Sequence, residues 1–208
     1  LSFRPDEALK PLLLGIVASE KTYYLCNRQQ EQGDYQTIKD RIDKMNKTIV
    51  IYGSTTGTCQ AIADKVADKL GCEAVDVQNL DESVVNDNAN LILGTSTWGA
   101  GEMQDDWYDG VKVLQAANLS GKTVALFGCG DAESYGDTFC GGMGELYNSI
   151  KDSGATFVGQ VSTDGYTFDD SEAVADGQFV GLPLDDVNED DKTDERIDTW
   201  ISSFKDKL

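Results

Sequence analysis

Ser54, Thr55, Thr56 and Thr58 place four hydroxyls within five residues, with Gly57 between the last two. An apolar β-run, Thr48-Ile49-Val50-Ile51-Tyr52, precedes them, and a helical pattern, Ala61-Ile62-Ala63-Asp64-Lys65-Val66-Ala67, follows. A hydroxyl-rich, glycine-punctuated turn between a strand and a helix suits a phosphate. Backbone N–H groups at the helix N-terminus and side-chain O–H groups converge there on one small volume. The turn contains no Lys or Arg, which fits holding a phosphate rather than transferring one. It also lacks the Gly-Lys-Ser/Thr ending of an NTPase P-loop and the Gly-x-Gly-x-x-Gly spacing of a dinucleotide site.

Two more stretches carry polar and aromatic groups in glycine-rich settings. One reads Thr95-Ser96-Thr97-Trp98-Gly99-Ala100-Gly101-Glu102, the other Phe127-Gly128-Cys129-Gly130-Asp131 followed by Tyr135-Gly136-Asp137. A lone Trp or Tyr is ordinarily core packing. Two of them on loops beside a phosphate turn suggest a flat ring held between them, with stacking worth on the order of 1 kcal/mol per aromatic pair beyond area burial.

The elements that must position these loops alternate between strand-like and helix-like patterns from residue 48 onward. Strands are predicted at 48–53, 72–77, 91–94 and 122–127, with a fifth starting at 156. Helices are predicted at 58–70, 104–116, 140–153 and 192–206. A polar stretch, 162–178, interrupts the fifth strand before Phe179-Val180-Gly181-Leu182 resumes the apolar run. Five strands alternating with helices predict an α/β fold with a doubly wound parallel sheet. Ligands in such sheets sit beyond the carboxyl ends of the strands, at the switch point. The loops at 54–59, 95–103 and 128–139 all fall there.

Charge divides the chain. Residues 1–44 carry seven Lys and Arg against seven Asp and Glu, while residues 45–208 carry ten against thirty, the whole of the net −20. That acidity disfavours nucleic acid and anionic membrane and favours basic partners with fast, salt-sensitive encounter. No run of about eighteen apolar residues is present, so no membrane insertion is expected. The five cysteines, Cys26, Cys59, Cys72, Cys129 and Cys140, include no C-x-x-C pair, and the chain has no histidine. A disulfide framework, zinc site or haem site is therefore not expected, and a cytoplasmic setting fits. The first residue is Leu1, and Met45 stands just before the first strand. Residues 1–44 are expected to be an appended N-terminal segment outside the fold, and 45–208 the functional domain.

From about residue 47 to the end, the chain resembles the flavodoxins, specifically the long-chain type. The segments carrying the resemblance are Ser54-Thr55-Thr56-Gly57-Thr58, Thr97-Trp98-Gly99, Phe127-Gly128-Cys129-Gly130-Asp131 with Tyr135, and Ser162-Thr163-Asp164-Gly165-Tyr166 in the interrupting stretch. The resemblance implies the flavodoxin-like strand order 2-1-3-4-5 and one non-covalent FMN. Ser54, Thr55, Thr56, Gly57, Thr58 and Cys59, with Ser96, would then hold the phosphate and the nearby ribityl chain. Trp98 and Tyr135 would flank the isoalloxazine. Backbone groups around Thr97, Gly99, Cys129, Gly130 and Asp131 would meet its polar edge, with Cys140 close by. The chain departs from the family pattern at Cys59, where Thr or Ser is usual, and at Thr58, where Asn or Lys is often found. A thiol is only a weak donor.

The implied function is a low-potential one-electron carrier, monomeric, working between reductases and ferredoxin-dependent enzymes with basic docking surfaces. Glu102, Asp105, Asp106 and Asp109, just after the Trp98 loop, are candidates for the docking rim. An FMN-dependent NAD(P)H:quinone reductase shares the fold, but covering aromatics and strong acidity disfavour an anionic dinucleotide. A phosphorelay receiver would need clustered carboxylates after strand one, where this chain has Ser54-Thr55-Thr56. A non-redox module that has lost its flavin has only Cys59 in its favour.

Overall fold

The computed structural model describes residues 47–208, which belong to one compact unit, Lys44–Leu208. The reading of 1–44 as a segment outside the fold, and Cys26 with it, lies outside the described residues.

The first strand, β1 (Thr48–Gly53), shows why the sheet is covered on both faces. Ile49 and Ile51 join one apolar cluster and Val50 and Tyr52 the other. Alternation along a strand sends successive side chains to opposite faces, and here both faces are buried. Helix α1 (Thr58–Leu70) packs Cys59, Ile62, Ala63, Val66 and Ala67 inward, the i, i+3, i+4 stripe of an amphipathic helix. It ends at Gly71, whose left-handed backbone lets its N–H reach the carbonyls of the last turn.

β2 (Glu73–Asp76), β3 (Asn90–Trp98) and β5 (Thr123–Cys129) pair in parallel in the order β2-β1-β3-β5. The fifth position is filled by two short strands, β6 (Thr156–Val158) on the first half of β5 and β10 (Leu182–Leu184) on its last residues. This is the predicted 2-1-3-4-5 order with an interrupted fifth strand. The interruption is itself a small antiparallel sheet of β7 (Val161–Ser162), β8 (Val174–Ala175) and β9 (Gln178–Phe179). The remaining helices are α2 (Glu82–Asp87), α3 (Trp107–Ala116), α4 (Gly141–Ile150) and α5 (Asp190–Phe204).

Several boundaries differ from the sequence reading. Helix α2 was not anticipated; the Asp81 carboxylate caps it by accepting from the Val84 N–H at 2.9 Å. The third strand runs on to Trp98 because it turns back and pairs with β4 (Glu102–Met103), Trp98 opposite Glu102. Helix α3 begins at Trp107 rather than 104, since Gln104 is engaged by Thr95 Oγ1 and Asp106 instead. Among the described residues no helix is long and apolar enough to cross a membrane.

Candidate functional site

β1, β3 and β5 are neighbours in register, with Gly53 beside Thr95 and Ser96 beside Cys129. Their following loops therefore open at one sheet edge. A concave site of about 320 Å³ lies there. Its lining includes Thr56, Thr58, Ser96, Thr97, Trp98, Gly99, Cys129, Gly130, Asp131 and Tyr135. No Lys or Arg is among the described residues that line it.

The floor at the first loop is the N-terminus of α1. Gly57 is its cap residue, at φ 92° and ψ −12°, and no side chain caps the helix. Ser54 Oγ instead accepts from the Gly57 N–H at 3.1 Å, while the first helical bond runs from Ala61 N–H to Gly57 O. The N–H groups of the first turn thus lack intrahelical partners, which is the arrangement an anion satisfies. Thr55 is exposed and accepts from the Gln104 amide at 3.4 Å. Neither Ser54 nor Thr55 reaches the cavity wall, whereas Thr56 and Thr58 do.

Trp98 and Tyr135 are 42% and 59% exposed, two of the four large apolar side chains left open among the described residues. Both line the same cavity, and apolar area gathered at one place marks a binding groove where scattered residues would not. The Trp98 indole N–H donates to Ser96 Oγ at 2.9 Å, which fixes one ring. Gly99 follows at φ 53°, and a Cβ there would collide with Glu102 Oε2. Asp131 orders the third loop: its carboxylate accepts from the Ser134 N–H at 2.9 Å and its carbonyl from the Tyr135 N–H at 3.0 Å. The Ser134 N–H and then the Asn188 amide hold the Asp131 carboxyl below its ordinary pKa. On the far side, Gly136 O accepts from the N–H groups of Asp169 and Asp170, so the interrupting stretch buttresses the Tyr135 loop.

Cys59 and Cys140 stand behind the wall rather than on it, each fully buried. Burial pushes the Cys59 thiol well up, and its hydrogen bond to Cys129 adds to the shift. Burial likewise raises the Cys140 thiol, which lies 3.4 Å from Gly128 O. Both are neutral thiols, and neither brings charge to the site. Sequence reasoning missed four lining residues: Thr138, Phe139, Asp186 and Val187. The last two sit in the turn after β10, whose last residue, Leu184, pairs with Cys129 and brings that turn to the same edge. Residues 185–195 are strongly acidic, but local pattern does not report which edge of the sheet they reach.

The donor set fits a flat ring with an anionic tail: uncapped N–H groups and hydroxyls at the start of α1, and two open aromatic rings on the following two loops. Among the described residues no cluster of three or more His, Cys, Asp or Glu could hold a metal.

The flavodoxin family model matches residues 50–200. Flavodoxin 1 of Azotobacter vinelandii is 44% identical over 171 residues, covering 79% of this chain and 98% of that protein. A Helicobacter pylori flavodoxin is 40% identical over 162 residues, covering 77% of this chain and 98% of that one. Among solved structures, Fusobacterium nucleatum flavodoxin bound to flavin mononucleotide superposes with a TM-score of 0.73 at 34% identity, covering 78% of this chain and 99% of that one. The strand order, the three loops at one edge and these relatives together establish that the chain belongs to the flavodoxin family.

Proposed function

We propose that this chain is a one-electron carrier that holds a non-covalent FMN in the site between Trp98 and Tyr135. The observation that carries the reading is the pairing of an uncapped helix N-terminus with two open aromatic rings at one sheet edge. Bound FMN supplies the redox chemistry, accepting and releasing electrons singly. The chain's own residues bind, orient and bias it. Thr56, Thr58 and the first-turn N–H groups of α1 hold the phosphate, with Ser54 shaping the turn from behind. Trp98 and Tyr135 cover the ring faces, and the backbone around Thr97, Gly99, Gly130 and Asp131 addresses its polar edge.

Asp131 and Asp186 line the site, and no Lys or Arg is among the described residues that line it, so added negative charge at the cofactor is disfavoured. One fixed charge at ~10 Å, with an effective dielectric of ~20, is worth about 1.7 kcal/mol, or roughly 70 mV for a one-electron couple. This supports a low potential for the second electron. Titration of the apoprotein with FMN, followed by quenching of flavin fluorescence, tests the reading. Saturation at one FMN per chain, weakened two- to tenfold by Trp98→Ala or Tyr135→Ala, is the expected result, from about 0.5–1.5 kcal/mol of stacking. No quenching at high micromolar FMN overturns it.

The partners we propose are reductases and ferredoxin-dependent enzymes with basic docking surfaces, met by a monomer. Exposed Glu102, Asp105 and Asp109 stand on the segment after Trp98, beside Tyr108, which is itself 42% exposed. Asp106 is engaged by Gln104 and Gln78 and is less available. The four described cysteines are free thiols, which suits the cytoplasmic setting we propose; recovery of the protein in a periplasmic or secreted fraction would count against that setting.

A further inference from the structure

The turn after β10 contains a buried carboxylate that the FMN site does not itself use. Asp185 is 2% exposed. Its Oδ2 accepts from the Ala132 N–H at 3.0 Å and its Oδ1 from the Asn188 N–H at 3.1 Å. The Asn188 side-chain nitrogen lies 3.0 and 2.9 Å from the two Asp185 oxygens and 2.9 Å from Asp131 Oδ1. An amide nitrogen carries two hydrogens, one for each carboxylate, so Asn188 bridges them. Asp131 in turn holds the Ser134 and Tyr135 N–H groups. The backbone repeats the link once, with the Gly130 N–H donating to Leu184 O at 2.9 Å. Two segments more than fifty positions apart in sequence are thereby tied together beside the cavity, one bearing Tyr135 and the other bearing Asp186 and Val187.

We infer that Asp185 and Asn188 form a clamp of positioning residues that sets the Tyr135 wall of the site. The inference rests on the FMN reading for its effect on binding, but the clamp itself also acts in the flavin-free protein. A buried carboxylate accepting several N–H groups is stable only while those donors stay in place, and a buried donor stripped of its acceptor is costly. The loop bearing Tyr135 is therefore fixed from the β10 side before any ligand arrives. Binding then loses less conformational freedom than it would with a loose loop.

Asn188 is exposed, so Asn188→Ala removes the bridge without opening the core; Asp185→Asn is the isosteric second variant. The first readout is backbone hydrogen exchange in the flavin-free protein. Amides of Ser134 and Tyr135 are expected to exchange about tenfold faster in Asn188→Ala, from the loss of one hydrogen bond to a charged group, while those of α4 are unchanged. A role confined to the 185–189 turn would leave Ser134 and Tyr135 protected, and that result overturns the clamp. The second readout is affinity for FMN and for riboflavin, which lacks the phosphate. Both are expected to weaken by the same factor, while competition by inorganic phosphate is unchanged. Equal FMN affinity in parent and variant, or weakening confined to phosphate, also overturns it. Failure of the parent to bind FMN refutes the function reading instead, and the exchange result still decides the clamp.

Discussion

Gly57 and Gly71 offer a paired perturbation that separates a strained backbone from a functional one. Both have positive φ, 92° and 68°, and a Cβ at either position would meet nothing within 4 Å. Substitution by Ala therefore brings no collision, only the penalty of holding an L-residue in a left-handed conformation, about 1–2 kcal/mol. At Gly71, which closes the C-terminus of α1, the whole penalty falls on folding. Apoprotein Tm should drop by about 2–8 °C, at 2–4 °C per kcal/mol for a domain of this size, with FMN affinity unchanged within about twofold, since a penalty common to the free and bound states cancels. At Gly57, which caps the helix where we propose the phosphate is held, the free loop can relax to negative φ and would have to return on binding. The same penalty then appears largely as affinity, a rise in Kd of about 5–30-fold, with a smaller drop in Tm. The assays are thermal unfolding of the apoprotein and fluorescence titration with FMN. If Gly57→Ala lowered Tm as much as Gly71→Ala and left Kd alone, the turn would be only a helix cap and the phosphate assignment would be wrong.

Other consequences follow from the same geometry. Gly99→Val adds a branched side chain at φ 53° where even a Cβ meets Glu102 Oε2; it should displace the loop and lower the fraction of flavin held at the one-electron stage in a redox titration, and an unchanged fraction would argue against Gly99 facing the flavin. Burial raises the Tyr166 phenol to about 12, above its ordinary 10.0, even though nearby Arg196 pulls it down. The folded state then holds that proton more tightly than the unfolded chain, so this stabilisation is complete below pH 10 and lost as pH rises through 12. Tyr166→Phe should flatten the fall in stability across that window, and an identical pH profile would contradict the shift. Electron transfer to a basic partner should slow as salt rises from 0.01 to 0.1 M, as the screening length shrinks from about 30 to 10 Å. Neutralising Glu102, Asp105 and Asp109 should weaken that dependence, and a salt-independent rate would place docking elsewhere.

The parts of this fold that were legible in the sequence are those set by local pattern. The buried run of β1, the apolar stripe of α1 ending at Gly71 and the hydroxyl turn between them depend on neighbours a few residues away. The three site loops were legible too, because each follows a predicted strand. What depended on pairing across the chain was not. The continuation of β3 to Trp98 comes from its return against β4, and the inset β7-β9-β8 sheet pairs residues hidden in a polar stretch. Asp186 and Val187 reach the site only because β10 pairs with β5, a long-range contact that periodicity does not report. Cys59 belongs to the motif by position, yet helix phase turns it inward.

FMN held between Trp98 and Tyr135 for single-electron exchange must pass through a half-reduced form. Stepwise anaerobic reduction of the FMN-loaded protein, followed by its visible spectrum, is the decisive test. A distinct long-wavelength spectrum should rise and fall between the oxidised and fully reduced forms. Direct bleaching of the oxidised bands, with no intermediate spectrum at any stage, would contradict single-electron exchange.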